Sequence, residues 1–383
     1  MLAIIQYIKD KNFESFDKLK ETLESDLSIS VKDSGSVYML SFTETSDLDN
    51  PMIRECSGLI VEKFTNKILH YSFQKCYDSF DTFGSIEKSY NEGDTFNVAN
   101  LDGDEILNHY FDGSMVKIYY HNDKWNISTS RHIDGSKNFW SSKMSFGVLF
   151  EEAVINTYSL LEYNEFLDTL DTEWCYTYIL QHPLNNTTLE ISEAFVFFIN
   201  RVNTSMDGCL REEVPEIENF KVSNKTVKSV IDNYNNLSIS ENYIVYKFDN
   251  DGNIVNRIKI MSPELKKIRE LKGNYPNIGL QYLEHISNDE KINELGCMFP
   301  SKMDIFDSVE EKFCKTVKQI FNLYVDNNIM KKNLIVPKRF EKTLHQLHSQ
   351  YKKKKETITV EDVIKKLEIL NPRLLASIIE FKY

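Results

Sequence analysis

The run Tyr110-Phe111-Asp112-Gly113-Ser114 places two aromatic rings and a carboxylate at an Asp-Gly-Ser turn signal. Two readings of Tyr110 stand side by side: a packed strand residue, or a ring that stacks on a base in the manner of RNA-reading proteins. Trp125 and the pair Phe139-Trp140 face the same choice between core packing and stacking. Glu241, Arg257 and Lys259 offer one carboxylate and two cations, which suit either a plain cross-strand ion pair or a charged pocket. Arg54-Glu55 reads as a solvated ion pair of little energetic value or as part of a site. Towards the C-terminus, Lys331, Lys332, Lys338, Arg339, Lys342 and Lys352-Lys353-Lys354-Lys355 face little opposing charge. They form a contact for RNA phosphates or simply a solvated helix end and loop. His345 and His348 have no acidic or cysteine neighbours that would complete a metal site.

The elements that must position these residues show in the hydrophobic spacing. Asn12–Ser25 reads as an amphipathic helix on Phe13, Phe16, Leu19 and Leu23. Short β-type runs follow at Tyr38–Phe42 and Gly58–Val61, and the spacing predicts a hairpin of Met115–Tyr120 with Trp125–Thr129. Phe146–Leu170 is apolar at helical spacing and predicts one or two helices. Strands are predicted at Trp174–Leu180, Ala194–Arg201, Tyr243–Phe248 and Ile254–Ile260, the last two around an Asp-Gly turn signal. After Ser262-Pro263 the β-type runs nearly vanish, and Glu264–Leu271, Ile305–Val325, Lys338–Gln350 and Val360–Leu370 read as helices. Thr359 with Asp362 three residues on approaches a capping box. The expectation is an α+β chain: a mixed domain of antiparallel sheets with helices over 1–262, then an all-helical C-terminal domain over 263–383.

Length and composition narrow the class. The chain's 383 residues suffice for two domains, each with its own core, and 41% hydrophobic with 27% charged residues is ordinary for a globular protein. No apolar run approaches the ~20 residues of a membrane span, and the first ten residues lack the pattern of a signal peptide, so no membrane partner is expected. Six cysteines without a CxxC pair argue against a zinc cluster or disulfide framework and for a reducing compartment. A net charge of −13 speaks against non-specific coating of nucleic acid, although a local basic groove remains compatible with it. Abundant Asn, Lys and Ile with scarce Gly and Pro is the flavour of an AT-rich genome, and a cytoplasmic location is expected, that of the host if the source is viral.

Three stretches, read together, resemble the phage-type RNA ligases, a covalent nucleotidyltransferase family. Ile53-Arg54-Glu55-Cys56-Ser57-Gly58-Leu59-Ile60, followed by Tyr71-Ser72-Phe73-Gln74-Lys75-Cys76-Tyr77, is similar to the family's arginine-glutamate-x-x-glycine strand and its phenylalanine-x-lysine-phenylalanine segment. Tyr110-Phe111-Asp112-Gly113-Ser114 resembles its lysine-x-aspartate-glycine-serine motif. Glu241-Asn242-Tyr243-Ile244-Val245 with Arg257-Ile258-Lys259 is similar to the glutamate-glycine-x-valine and lysine-x-lysine strands that close the nucleotide pocket. Between them, Trp174–Glu190, with His182-Pro183-Leu184-Asn185-Asn186, resembles a segment that often carries a glutamate and a proline-x-asparagine-arginine. The likeness covers roughly residues 50–262, and its specificity lies in the joint order of motifs that are individually weak.

The departures bear on chemistry. Such an enzyme attacks an α-phosphate with an unprotonated lysine amine, while magnesium and basic residues stabilise the phosphates. Here the lysine's position is held by Tyr110, a phenol with an ordinary pKa near 10, and Lys117 lies too far along the following strand to take its place. Ile179 stands at the family's acidic position, Asn186 at its arginine, Asn242 at its glycine, and Arg257 at a lysine. The resemblance therefore implies a catalytically degenerate ligase-like protein, with no catalytic and no metal-ligating residue assigned. Its expected nucleotide- or RNA-end-binding residues are Tyr110, Asp112, Gly113, Arg131, Glu241, Arg257, Lys259, Arg54 and Lys75, with Lys338, Arg339 and Lys342 on the RNA backbone. ATP, GTP or an mRNA cap are the implied ligands, with Mg2+ compatible; RNA or nucleotide is the implied partner, with a protein partner on the helical domain. An active RNA ligase or guanylyltransferase with another nucleophile, and a protein-interaction scaffold, are the rival readings.

Overall fold

The computed structural model describes residues 1–73, 105–140, 142–185, 188–205, 210–214, 224–250, 254–273 and 275–382, together with Val222 and the backbone of Tyr77–Asp78. The chain is α+β, with sheets that are antiparallel but for one short pairing and a C-terminal region that is all helical. It divides into two compact units, Met1–Lys266 and Lys267–Tyr383.

The first unit holds three sheets. β1 (Ile29–Ser34) and β2 (Val37–Phe42) form a hairpin whose turn uses Gly35 in the left-handed region, and β3 (Ser57–Glu62) and β4 (Ile68–His70) extend it in the order β1-β2-β3-β4. β5 (Tyr77–Asp78) and β6 (Ile106–His109) belong to the third sheet. β7 (Ser114–His121), β8 (Lys124–Thr129), β9 (Trp174–Gln181), β10 (Phe195–Asn203) and β11 (Arg211–Glu213) make the second, in the order β11-β10-β9-β7-β8. β12 (Tyr243–Phe248) and β13 (Ile254–Ile260) complete the third, ordered β5-β13-β12-β6, where β5 pairs parallel to β13.

Alternation along the strands sorts side chains into layers. On β2, Tyr38 and Leu40 join a core with α1 (Ala3–Lys11) and α2 (Phe16–Asp26), whereas Val37 and Met39 turn to the second sheet and meet Tyr119, Cys175 and Val202. Both faces of β2 are therefore covered, which is why it reads as an unbroken apolar run. On β7, Val116 and Ile118 pack under α4 (Phe146–Tyr158) and α5 (Tyr163–Leu167). Two sheets thus lie face to face between outer helices, and each fully buried Leu, Ile or Val contributes about 1.5–3 kcal/mol. The third sheet is backed by α6 (Val227–Asp232) through Val227, Val230, Tyr243, Val245 and Ile258.

The start of the chain differs from the sequence-based expectation. The helix expected over Asn12–Ser25 is α2, which starts at Phe16, and a further helix that the spacing did not announce, α1, precedes it and ends where Asn12 takes φ 45°. α1 has no side-chain cap of its own; the carboxylate of Glu55, which follows α3 (Pro51–Arg54), accepts from the N–H groups of Ala3 at 3.1 Å and Ile4 at 3.0 Å. That cap comes from a residue distant in sequence, so no local pattern announces it. The hairpin of β7 and β8 forms where it was expected, with Asn122 and Asp123 both at positive φ.

α7 (Pro263–Lys272) runs across the division between the units. The second unit continues with α8 (Ile278–Glu284), α9 (Asp289–Met298), α10 (Met303–Tyr324), α11 (Lys338–Lys354), α12 (Val360–Glu368) and α13 (Pro372–Ile378). α10 buries Phe306, Val309, Phe313, Val317 and Ile320 at helical spacing. At α12 the anticipated capping box is present: Thr359 Oγ1 accepts from Asp362 N at 3.3 Å, and Thr359 N donates to the Asp362 carboxylate at 2.8 Å. Among the described residues no helix is long and apolar enough to cross a membrane.

Candidate functional site

Three stretches separated in sequence meet at the end of β6. The backbone N–H of Tyr110 donates to the Asn242 carbonyl at 2.8 Å, continuing the pairing of β6 with β12. Lys259, on the neighbouring β13, places its ammonium 5.4 Å from the centre of the Tyr110 ring, within cation–π range. Phe111 turns the other way and stacks on Phe197 of β10, with ring centres 3.8 Å apart and planes within 8°.

Asp112-Gly113-Ser114 is locked down by β9 and the segment after it. Gln181 donates to the Asp112 carbonyl at 2.7 Å, and the Asn185 amide donates to Ser114 Oγ at 2.8 Å. A Cβ on Gly113 would lie 2.6 Å from both the Ile179 side chain and the Leu180 carbonyl, so the chain approaches β9 more closely than any other residue allows. Asp112 is itself buried. His182 accepts from the N–H of Leu184 at 3.1 Å and lies 3.3 Å from the Glu152 carboxylate, fixing the turn that presents Asn185.

The other expected site residues occupy several settings. Arg257 is buried, ion-paired with Glu212 and laid over the rings of Phe73 at 4.8 Å and Tyr246 at 5.6 Å. Glu212 also accepts from the Asn200 amide at 2.6 Å. Glu241 closes its own turn by accepting from Ser238 N at 2.9 Å, and pairs with Lys225; that hydrogen bond first, then those from Ser238, bring its carboxyl down to about 2. Arg54 is buried and donates to the Leu48 carbonyl at 3.2 Å, while burial raises the pKa of adjacent Glu55 against the pull of its two backbone hydrogen bonds. Arg131 is exposed at the edge between the first two sheets and donates to the Phe42 carbonyl at 2.9 Å. Lys75 lies outside the described residues. In the second unit Lys338 and Lys342 stand exposed on α11, and Arg339 pairs with Glu380. The structure therefore brings Tyr110 and Lys259 together, holds Asp112 and Gly113 against β9, and sets Arg54, Arg131 and Glu241 in hydrogen-bonding environments of their own.

Lys117, set aside in the sequence as too far along the following strand to replace the nucleophile, has a setting that sequence reasoning missed. It is fully buried, and its ammonium donates to the carbonyls of Ser57 and Gly58, the latter at 2.9 Å. No carboxylate pairs with it among the described residues; burial alone drives its pKa down to about 7. Gly58 has φ +73° and no room for a Cβ, which would sit 2.6 Å from the Lys117 nitrogen and 2.8 Å from the Ser130 carbonyl. The glycine of the arginine-glutamate-x-x-glycine strand is thus explained by the lysine beneath it. A lysine in the middle of the apolar run Met115–Tyr120 was the available signal.

The charged group shown at the Tyr110 ring is the Lys259 ammonium, which suits an anionic ligand. Among the described residues no three acidic, histidine or cysteine side chains converge as metal ligands.

The class these features define is an α+β chain of stacked antiparallel sheets with a helical C-terminal unit. No known family profile matches it. Two relatives share its sequence, each described as an immediate-early protein ICP-46 homolog. That of Invertebrate iridescent virus 6 is 23% identical over 304 residues, 74% of this chain and 66% of the relative. That of Invertebrate iridescent virus 3 is 26% identical over 159 residues, 42% of this chain and 34% of the relative. The chain thus spans less than two thirds of the length of the curated relatives it matches. Among solved structures, a chain from Aquifex aeolicus assigned as an ATP-dependent DNA ligase aligns over 93% of this chain and 87% of its own, at 11% identity and a TM-score of 0.39, a likeness too distant to carry an argument.

Proposed function

We propose that this chain is a catalytically degenerate RNA ligase-like protein that holds a nucleotide or an RNA 5′ end, an mRNA cap among them, at Tyr110, Asp112, Gly113 and Lys259. The observation that carries the reading is the meeting of Tyr110 with Asn242 and Lys259, three positions that match a nucleotide-pocket pattern in sequence order. A phenol at the nucleophile's position offers a ring and a hydroxyl in place of an attacking amine. Lys259 supplies charge for a phosphate, and the rigid Gly113 turn supplies a fixed floor. The relatives' description as viral immediate-early proteins fits a viral origin and a place in the host cytoplasm. A protein partner falls to the helical unit, where Ile329, Met330 and Ile335 stand exposed.

One observation favours a second reading, an active nucleotidyltransferase with a displaced nucleophile: burial lowers the pKa of the Lys117 amine to about 7, so that about half of it is uncharged at neutral pH. Its complete burial weighs against that role, because an attacking amine must reach a phosphorus. Equilibrium binding of ATP, GTP, a cap analogue and capped or 5′-phosphorylated RNAs, run beside denaturing gels, separates the two. Reversible binding weakened about tenfold by Tyr110→Ala or Lys259→Ala is the expected outcome, equivalent to ~1.4 kcal/mol. A stoichiometric covalent adduct overturns the proposal, and an adduct mapped to Lys117 establishes the second reading.

A further inference from the structure

A cleft of about 500 Å3 opens between the first two sheets, lined by Ser34 and Ser36 of the β1–β2 turn and by His121, Lys124, Trp125 and Asn126 of the β7–β8 hairpin, among others. None of its lining residues belongs to the Tyr110 constellation. On β1, Ile29 and Val31 are buried in the helix-side core, so the alternate residues Lys32 and Ser34 face the other way, towards β8.

Cations gather along this seam without acidic partners. At one end Lys32 donates to the Arg131 carbonyl while the Arg131 guanidinium donates to the Phe42 carbonyl, which seats two positive groups side by side. The neighbouring acids are already paired, Asp134 with Lys137 in the lining of the cleft itself. Asp33 pairs with Lys63 at 2.7 Å, and Asp134 pairs with Lys137 at 3.0 Å and accepts from Ser136. Glu62 accepts from Thr65 and lies 3.9 Å from His121. At the other end His121 meets Ser36 Oγ at 3.1 Å, and Lys124 stands exposed. Among the described residues Lys32, Arg131 and Lys124 make no ion pair. Burial first, then Arg131, lowers the pKa of Lys32, and burial first, then Lys32, lowers that of His132, as expected where positive charge accumulates without an anion.

The chemistry that answers this arrangement is a row of phosphates. Lys124 opens β8 and Arg131 follows its end, so cations stand about 20 Å apart at the two ends of the seam, room for a few nucleotides of extended backbone. A cleft of this volume has room for one extended strand and not for a duplex; at its wall the Trp125 ring packs against Tyr120 and Tyr176 on the helix side of β8, and the Asn126 amide donates to the carbonyls of His121 and Lys124. We propose that the cleft between β1 and β8 is a second binding site, which takes a short stretch of single-stranded RNA with its phosphates on Lys124, which lines it, and on Lys32 and Arg131, where the seam continues past its lining. The choice of RNA over other polyanions rests on the function proposed above.

The test is a titration of the full chain with an unstructured RNA of roughly 12 nucleotides, its duplex form, and ATP, across a range of salt. Each phosphate contact on a single strand contributes ~0.7 to the slope of log K against log salt. The double variant Lys32→Gln/Lys124→Gln is expected to bind the single strand at least about tenfold more weakly, with the slope reduced by ~1.4, and to bind ATP as before. These are exposed side chains, so the variant keeps the fold. Unchanged single-strand affinity and slope, with ATP binding intact, overturns the cleft alone, as does duplex binding as tight as single-strand binding. If the wild-type chain binds no mononucleotide or RNA end while its single-strand binding still responds to the double variant, the function proposed at Tyr110 fails and the cleft stands.

Discussion

Two buried cations in the same unit show opposite answers to one electrostatic problem. Arg257 keeps its charge by pairing with Glu212 and lying over Phe73 and Tyr246. Lys117, more deeply buried, has only backbone carbonyls, and burial lowers its pKa to about 7, where the charge is half lost. Guanidinium cannot shed its proton at any ordinary pH, so its site must supply a carboxylate; an ammonium can, so its site need supply only acceptors. The contrast teaches which neighbours are indispensable in each place.

The largest effect comes from breaking the pair. Glu212→Gln removes the carboxylate and leaves Arg257 charged among rings, which costs about 3–5 kcal/mol, as for other buried pairs that lose one partner. Chemical denaturation measures it; a loss under about 1 kcal/mol would mean that the rings and the remaining contacts hold the guanidinium without help. Arg257→Met with Glu212→Gln, removing both charges, should recover much of the loss, since a neutral pair of similar volume leaves no unpaired charge and the glutamine carbonyl can still accept from Asn200.

Next comes the glycine that roofs Lys117. In Gly58→Ala the added Cβ meets the Lys117 nitrogen and the Ser130 carbonyl on a backbone at φ +73°, for a loss of about 3 kcal/mol from strain and overpacking together. Gly58→Ala combined with Lys117→Ala separates the two contributions: recovery identifies the ammonium as the obstacle, and no recovery assigns the loss to the backbone and Ser130. Both experiments ask whether the lysine's setting is as rigid as the arginine's.

What was legible in advance follows the reach of each interaction. β12, β13 and the β7–β8 hairpin carry their signals in alternation and turn residues, and α12 carries its capping box within four positions, so local pattern sufficed. The Tyr110, Asn242 and Lys259 grouping was anticipated only through the order of weak motifs, and the structure adds the strand pairing that joins them. The Glu55 cap on α1 spans 52 positions, the Arg257–Glu212 pair 45, the Arg131–Phe42 bond 89 and the Lys117–Gly58 bond 59. None of these leaves a local trace. Lys117 shows the limit from the other side: its distance from the expected nucleophile position is plain in the sequence, yet its burial depends on a sheet it does not belong to.

The smallest effect, and the most specific to Lys117, is a dependence of stability on pH. The folded state lets the ammonium go near pH 7, whereas in the unfolded chain it holds its proton to about 10.5. Between those values the unfolded state binds more protons, so stability rises with pH, by up to ~1.4 kcal/mol per unit. Below pH 7 both states are protonated and the folded protein carries the whole desolvation penalty. His70, whose pKa is pushed well below its ordinary value by burial and by Lys117, acts in the same direction but only below about 6.5. The free thiols of Cys56 and Cys175, both raised by burial, oppose the trend above about 9, where they ionise only in the unfolded chain. The clean window is therefore pH 7.5–8.5. Urea midpoints across it should climb for the wild type and flatten for Lys117→Met, which keeps the length of the side chain without the amine. An unchanged slope in the variant would show that Lys117 keeps its charge when folded, through an acceptor that its two carbonyls do not supply, and the contrast with Arg257 would disappear.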